Sequence, residues 1–128
     1  MPIRRVKLGS SRLPEEGIRI GTVRRPPRGV PKSEFASGNW YDVWYPNLAP
    51  SIETMKLGQA VETDAEWWTF EKAFRREMKV PEASRSIELL AVLSKTAYFS
   101  VGCYCENEAR CHRSLLKQLL QEAGAEIV

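Results

Sequence analysis

"AYFSVGCYCENEARCHRSLLKQLLQEAG", residues 97–124, decides the fold of this chain. Residues 97–105 are small or apolar throughout, the composition of a strand covered on both faces. A polar loop follows, and from about residue 112 to 123 Leu115, Leu116, Leu119 and Leu120 recur at helical spacing. Gly124 then stands where a helix C′ glycine belongs. A buried strand that runs through a loop into a helix is the repeating unit of a parallel sheet with crossover helices.

The preceding segments fit that unit. Thr63-Asp64-Ala65-Glu66 reads as a capping box opening a helix to about Lys79. Its apolar stripe is Trp67, Phe70, Phe74 and Met78. A second helix is expected over 82–95, with Ile87, Leu89, Leu90, Val92 and Leu93 as a wide apolar face. Residues 2–8, 18–24 and 40–45 read as strands, and 125–128 as a returning edge strand. A short helix with Pro31 in its first turn and another capped by Ser51 complete the elements. The fold class is α/β: a three-layer sandwich, mostly parallel sheet flanked by helices, in a single domain over residues 1–128.

Composition narrows the setting. The longest aliphatic run, Leu89 to Leu93, is far too short to cross a bilayer, so no membrane association is expected. The basic start MPIRRVKLGS has no apolar segment behind it, which argues against a secretory signal. Three cysteines make a poor disulfide framework, and a reducing, cytoplasmic location follows. Charge is uneven: residues 1–32 carry nine Lys or Arg against Glu15 and Glu16, and the rest of the chain is net acidic. A basic quarter on an acidic body favours an anionic partner, or else is a solvated surface or a contact between copies.

All three cysteines and the one histidine lie in 103–112. Cys111-His112-Arg113 sits where the strand's carboxyl end turns into a helix, the edge at which open α/β sheets bind ligands. The helix N-terminus and the neighbouring Arg110, His112 and Arg113 would favour a thiolate at Cys111. Three readings stand open. Zinc would need Cys103, Cys105, Cys111 and His112, a C-x-C-x5-C-H spacing in which adjacent residues 111 and 112 face one ion. That is unlike the familiar knuckles, and no metal is expected. Cys111 as a catalytic nucleophile has the microenvironment but no evident third group to orient a base. Non-covalent anion binding or plain structure is the third. Cys103 and Cys105 share a strand face with Phe99 and Val101 and read as core.

Arg24, Arg25 and Arg28 follow the second strand in a proline-stiffened loop, RRPPRGVPK, at another carboxyl end. Arg28 and Arg113 are therefore expected to contact one anion. Trp40, Tyr41, Trp44 and Tyr45 would stack bases beside these arginines, or pack a core or a subunit contact. The chain has neither a P-loop nor G-x-G-x-x-G, so no nucleotide cofactor is expected through those cradles, and no other cofactor is indicated.

The ordered set of motifs resembles the family called domain of unknown function 488 (DUF488), and within it the small YeaO-like branch. "IRIGTVRRPPRGVPK" at 18–32 is similar to that branch's strand followed by W-P-R-G-[IV]-x-K. "WYPNLAPSIET" at 44–54, "FEKAFRREM" at 70–78 and Cys111-His112-Arg113 match in the same order. Val23 stands where members usually have an acidic residue, and Pro26 where they have Trp. The resemblance implies a compact α/β fold and a shared pocket, with no settled activity. The expected function is binding of a small phosphorylated or carboxylated ligand by Arg24, Arg28, Arg110, His112 and Arg113. Nucleic-acid binding and a homodimerising interaction protein are the alternatives, and whether the chain is an enzyme stays open at this stage.

Overall fold

In the computed structural model, which describes residues 3–105 and 107–128, the apolar strand lies inside a four-stranded sheet. The strands are β1 (Ile3–Lys7), β2 (Ile18–Gly21), β3 (Val43–Trp44) and β4 (Phe99–Cys103), in the order β1-β4-β2-β3. Every pairing is parallel. All five residues of β4 are buried, as a strand with two neighbours and two covered faces must be. Register aligns Lys7 with Cys103 and Gly21 with Gly102, so β1, β4 and β2 end along one edge.

The described residues also form four α-helices: α1 (Ile52–Gln59), α2 (Asp64–Glu77), α3 (Pro81–Leu93) and α4 (His112–Glu122). Phe99 and Val101 of β4 and Ile20 of β2 pack in one core cluster with Phe70, Phe74, Ile87, Leu90, Leu115 and Leu116. The face carrying Arg19, Gly21, Ser100 and Gly102 is covered by segments 8–17 and 31–42, which hold a single turn of 3-10 helix at Lys32–Glu34. Those loops come very close. A Cβ on Gly21 would lie 2.3 Å from Tyr41 Cδ2, and one on Gly102 2.6 Å from Leu8 Cδ2. Small residues in these strands make room for the third layer.

Local signals map well onto α2. Thr63 accepts from the Glu66 amide while Glu66 returns a carboxylate to the Thr63 amide, closing the capping box. Ser51 caps α1 by accepting from the Thr54 amide, and Gly124 ends α4 at φ 94°.

Four expectations need correction. The 40–45 strand shortens to Val43–Trp44, because Trp40 and Tyr41 pack into the loop layer against Tyr104 and Phe35. The 125–128 strand is one parallel bridge, Ile3 to Ile127. The wide apolar face of α3 is narrower: Ile87 and Leu90 are buried, whereas Leu89, Val92 and Leu93 are exposed. Cys105 is not core; it lies beyond β4 and is exposed. Among the described residues no helix is long and apolar enough to cross a membrane.

Candidate functional site: a cationic cavity beside a thiol–imidazole cluster

At the carboxyl edge the loops after β1, β2 and β4 enclose a cavity of about 900 Å3. The 24–28 loop meets residues 103–105 and 110–112 there. Its walls carry Lys7, Arg24, Arg25, Arg28 and Arg110, and no Asp or Glu among the described residues. Trp40, Met55, Phe70 and Tyr104 supply apolar surface beside these cations.

The arginines differ in what holds them. Arg24 donates to the carbonyls of Pro46, Ala49 and Pro50, pinning the loop that leads into α1. Arg110 pairs with Asp64 at 2.5 Å and lies over the Trp67 ring. Arg25 and Arg28 are exposed and form no ion pair among the described residues. Arg113 is buried, donates to the Cys105 carbonyl at 2.8 Å, and is not part of the cavity wall. Lys7 and Arg25 are lining cations absent from the sequence-based ligand set. Lys7 at a strand end and Arg25 within the basic loop were the signals for them.

The other wall is chemical. Cys111 is the N-cap of α4 in extended conformation, and His112 is its first helical residue. This change of backbone conformation turns two adjacent side chains toward the same point. Cys111 Sγ lies 3.7 Å from His112 Nδ1 and 2.7 Å from Cys103 Sγ. His112 Nε2 lies 2.6 Å from the Thr22 carbonyl oxygen. A carbonyl only accepts, so Nε2 carries the proton and Nδ1 presents a lone pair to the sulfurs. Burial lowers the His112 pKa, which keeps the ring neutral.

The acidity of the thiols runs opposite to expectation. Hydrogen bonds from Cys103 and Cys111, with the charge of Arg113, hold Cys105 down to about 3. Cys111 gains from its bond with Cys103, but donation to Cys105 and burial outweigh that and push it up to about 11. Cys103 is raised as well, chiefly by donating to Cys105. Helix N-terminus and cations surround Cys111, while burial and its contact with Cys105 work against a thiolate there.

The DUF488-N3a family model, described as the active DUF488-N3 subclade, matches residues 3–124. The chain belongs to this DUF488 family. The match takes in every strand, all four helices and both cavity loops. Comparison with curated proteins and with solved structures returned no match.

Proposed function

We propose that this DUF488 domain binds a small anionic ligand, a phosphate or carboxylate on a compact organic body, in the cavity at the carboxyl edge of its sheet. The observation that carries the reading is the wall itself: five cationic side chains and no carboxylate among the described residues. A positive field with low-dielectric walls concentrates anions. Arg25 and Arg28 are the cations with forks left to offer, and a guanidinium fork suits phosphate or carboxylate oxygens. The N-terminus of α4 has no side-chain cap and adds amide donors at the same edge. Trp40, Tyr104 and Met55 would contact the apolar part of the ligand. Arg24 and Arg113 act from behind, one shaping the 46–50 loop and the other holding the Cys105 carbonyl. Free cysteines at 103, 105 and 111 are in keeping with a reducing, cytoplasmic setting.

Nucleic acid has less in its favour. Within the basic quarter Arg5, Arg12 and Arg19 are occupied by Glu108, Asp42 and Glu16, and Arg24 by carbonyls. Tyr41 is buried, and Trp44 donates its ring N–H to the Val23 carbonyl. The test is calorimetry with inorganic phosphate, nucleoside monophosphates and small carboxylates. At least one should bind, with affinity falling about tenfold or more in Arg28→Ala, the loss of one charge-assisted contact. If none binds at millimolar concentration, the reading fails.

A further inference from the structure

We propose that Cys103, Cys111 and His112 form a zinc site whose fourth coordination position opens into the cavity. The inference goes beyond anion binding and does not depend on it. The Cys103 and Cys111 sulfurs and a ring nitrogen of His112 all lie within 4.8 Å of one another, and all three residues are buried. Three elements converge to place them. Cys103 is the last residue of β4, the 104–110 loop returns the chain to the same strand end, and α4 begins there with Cys111 and His112.

The histidine is set up as a ligand. Its Nε2–H is anchored on the Thr22 carbonyl, a partner of the kind that metal-binding imidazoles use to fix tautomer and ring plane. Thr22 is itself held, since its amide and hydroxyl both donate to the Gly102 carbonyl in β4. The free lone pair on Nδ1 then faces Cys111 Sγ. In a tetrahedral site with usual zinc distances, sulfur–sulfur separation is about 3.8 Å and sulfur–nitrogen about 3.5 Å. The present 3.7 Å between Cys111 Sγ and His112 Nδ1 already fits. The two sulfurs, at 2.7 Å, need to part by about 1 Å, a side-chain adjustment.

Soft thiolates with one imidazole select zinc among common divalent ions, and three protein ligands are the pattern of sites that keep an open position. Both thiols give up their protons on binding, and these pass to solvent, so the ion with two thiolates and a neutral imidazole is uncharged overall. Cys103, Cys111 and His112 all line the cavity, which places the open position where a ligand oxygen or water can reach it. Cys105, exposed at the rim, is left outside the ligand set. Sequence spacing argued against such a site because residues 111 and 112 are neighbours, and the N-cap geometry removes that objection.

The experiment is a Co2+ titration of the reduced, metal-stripped full chain, with no anionic ligand added. The expected result is one equivalent bound with Kd below about 1 μM, thiolate-to-cobalt charge-transfer bands and the visible bands of a tetrahedral ion, with Zn2+ displacing the cobalt. Cys103→Ser, Cys111→Ser and His112→Gln should each weaken binding about 10-fold or more, while Cys105→Ser retains it. Added azide should shift the visible bands by occupying the open position. Circular dichroism identifies any variant that fails to fold, and zinc should raise the Tm of the wild type. A wild-type chain that binds no cobalt overturns the site, whatever the variants do. Loss of binding in Cys105→Ser, or bands that azide leaves unmoved, overturns the open position.

Discussion

Glu16 and Arg19, three residues apart, form a fully buried ion pair under the sheet. Arg19 Nη1 also donates to the carbonyls of Ser10 and Asn39 and Nη2 to that of Ser11, so one guanidinium ties two loops to β2. Glu16 in turn accepts from the Leu13 amide. The third layer contains almost no regular structure, and this pair is its polar centre. Because every partner is hydrogen-bonded, burial of the charges is compensated; removal of one leaves the other stranded.

Glu16→Gln should therefore destabilise the protein by about 3 kcal/mol or more, lowering Tm by roughly 10 °C. Burial raises the Glu16 carboxyl, but the Arg19 hydrogen bond, the Leu13 amide and the Arg19 charge outweigh it and hold the pKa below its ordinary value. A carboxyl depressed in the folded state contributes stability above its unfolded pKa, and that contribution fades as pH falls through the folded one. Urea unfolding from pH 7 down to pH 3 should show the wild type losing more stability than Glu16→Gln. Parallel pH curves would show that the pair does not govern acid stability.

Gly102→Ala should cost about 1–3 kcal/mol. Its Cβ would meet Leu8 Cδ2 at 2.6 Å and the Val6 carbonyl oxygen at 2.9 Å, and a strand backbone cannot withdraw as a side chain can. Thermal unfolding measures the loss. A variant as stable as the wild type would mean that β1 and the 8–17 segment sit further from β4 than the structure has them.

Tyr41→Phe should leave stability unchanged or raise it by up to about 1 kcal/mol. The ring is buried against Phe35, while the hydroxyl has no hydrogen-bond partner among the described residues. Burial raises its pKa. A loss above about 1 kcal/mol on denaturant titration would reveal a partner for the hydroxyl.

Where a local rule decides an outcome, the sequence was readable. Thr63 and Glu66 close their box using nothing but each other, and β4 is buried because every side chain in it is small or apolar. Burial of Arg19 was not readable, since a count of charges treats it as one more cation in a basic quarter. Its partners come from residues 10, 11, 16 and 39, assembled only by folding. The apolar face of α3 was overdrawn because a leucine count cannot tell which flank of a helix meets the sheet. At the candidate site, spacing alone located the strand-to-helix edge and the two loops. The meeting of Cys103 with Cys111 and His112 depends on how a seven-residue loop returns to the strand end, which no periodicity encodes.

Salt dependence separates the two classes of anionic partner. A protein that neutralises six or more phosphates releases as many counterions, and its affinity falls by orders of magnitude between low and physiological salt. In this chain, Arg25 and Arg28 are the exposed cavity cations without an ion pair among the described residues, and the wall around them is partly apolar. Such a site neutralises one or two charges, so its slope should be shallow, with logarithmic affinity changing by about 1–2 per tenfold change in salt. Arg28→Ala should flatten that slope as well as weaken binding, whereas Arg4→Ala, far along β1 from the carboxyl edge, should do neither. The measurement is a titration of phosphate and a nucleoside monophosphate at several salt concentrations, beside short DNA and RNA. Submicromolar oligonucleotide binding with a steep slope, insensitive to Arg28→Ala, would move the function from the cavity to the basic surface.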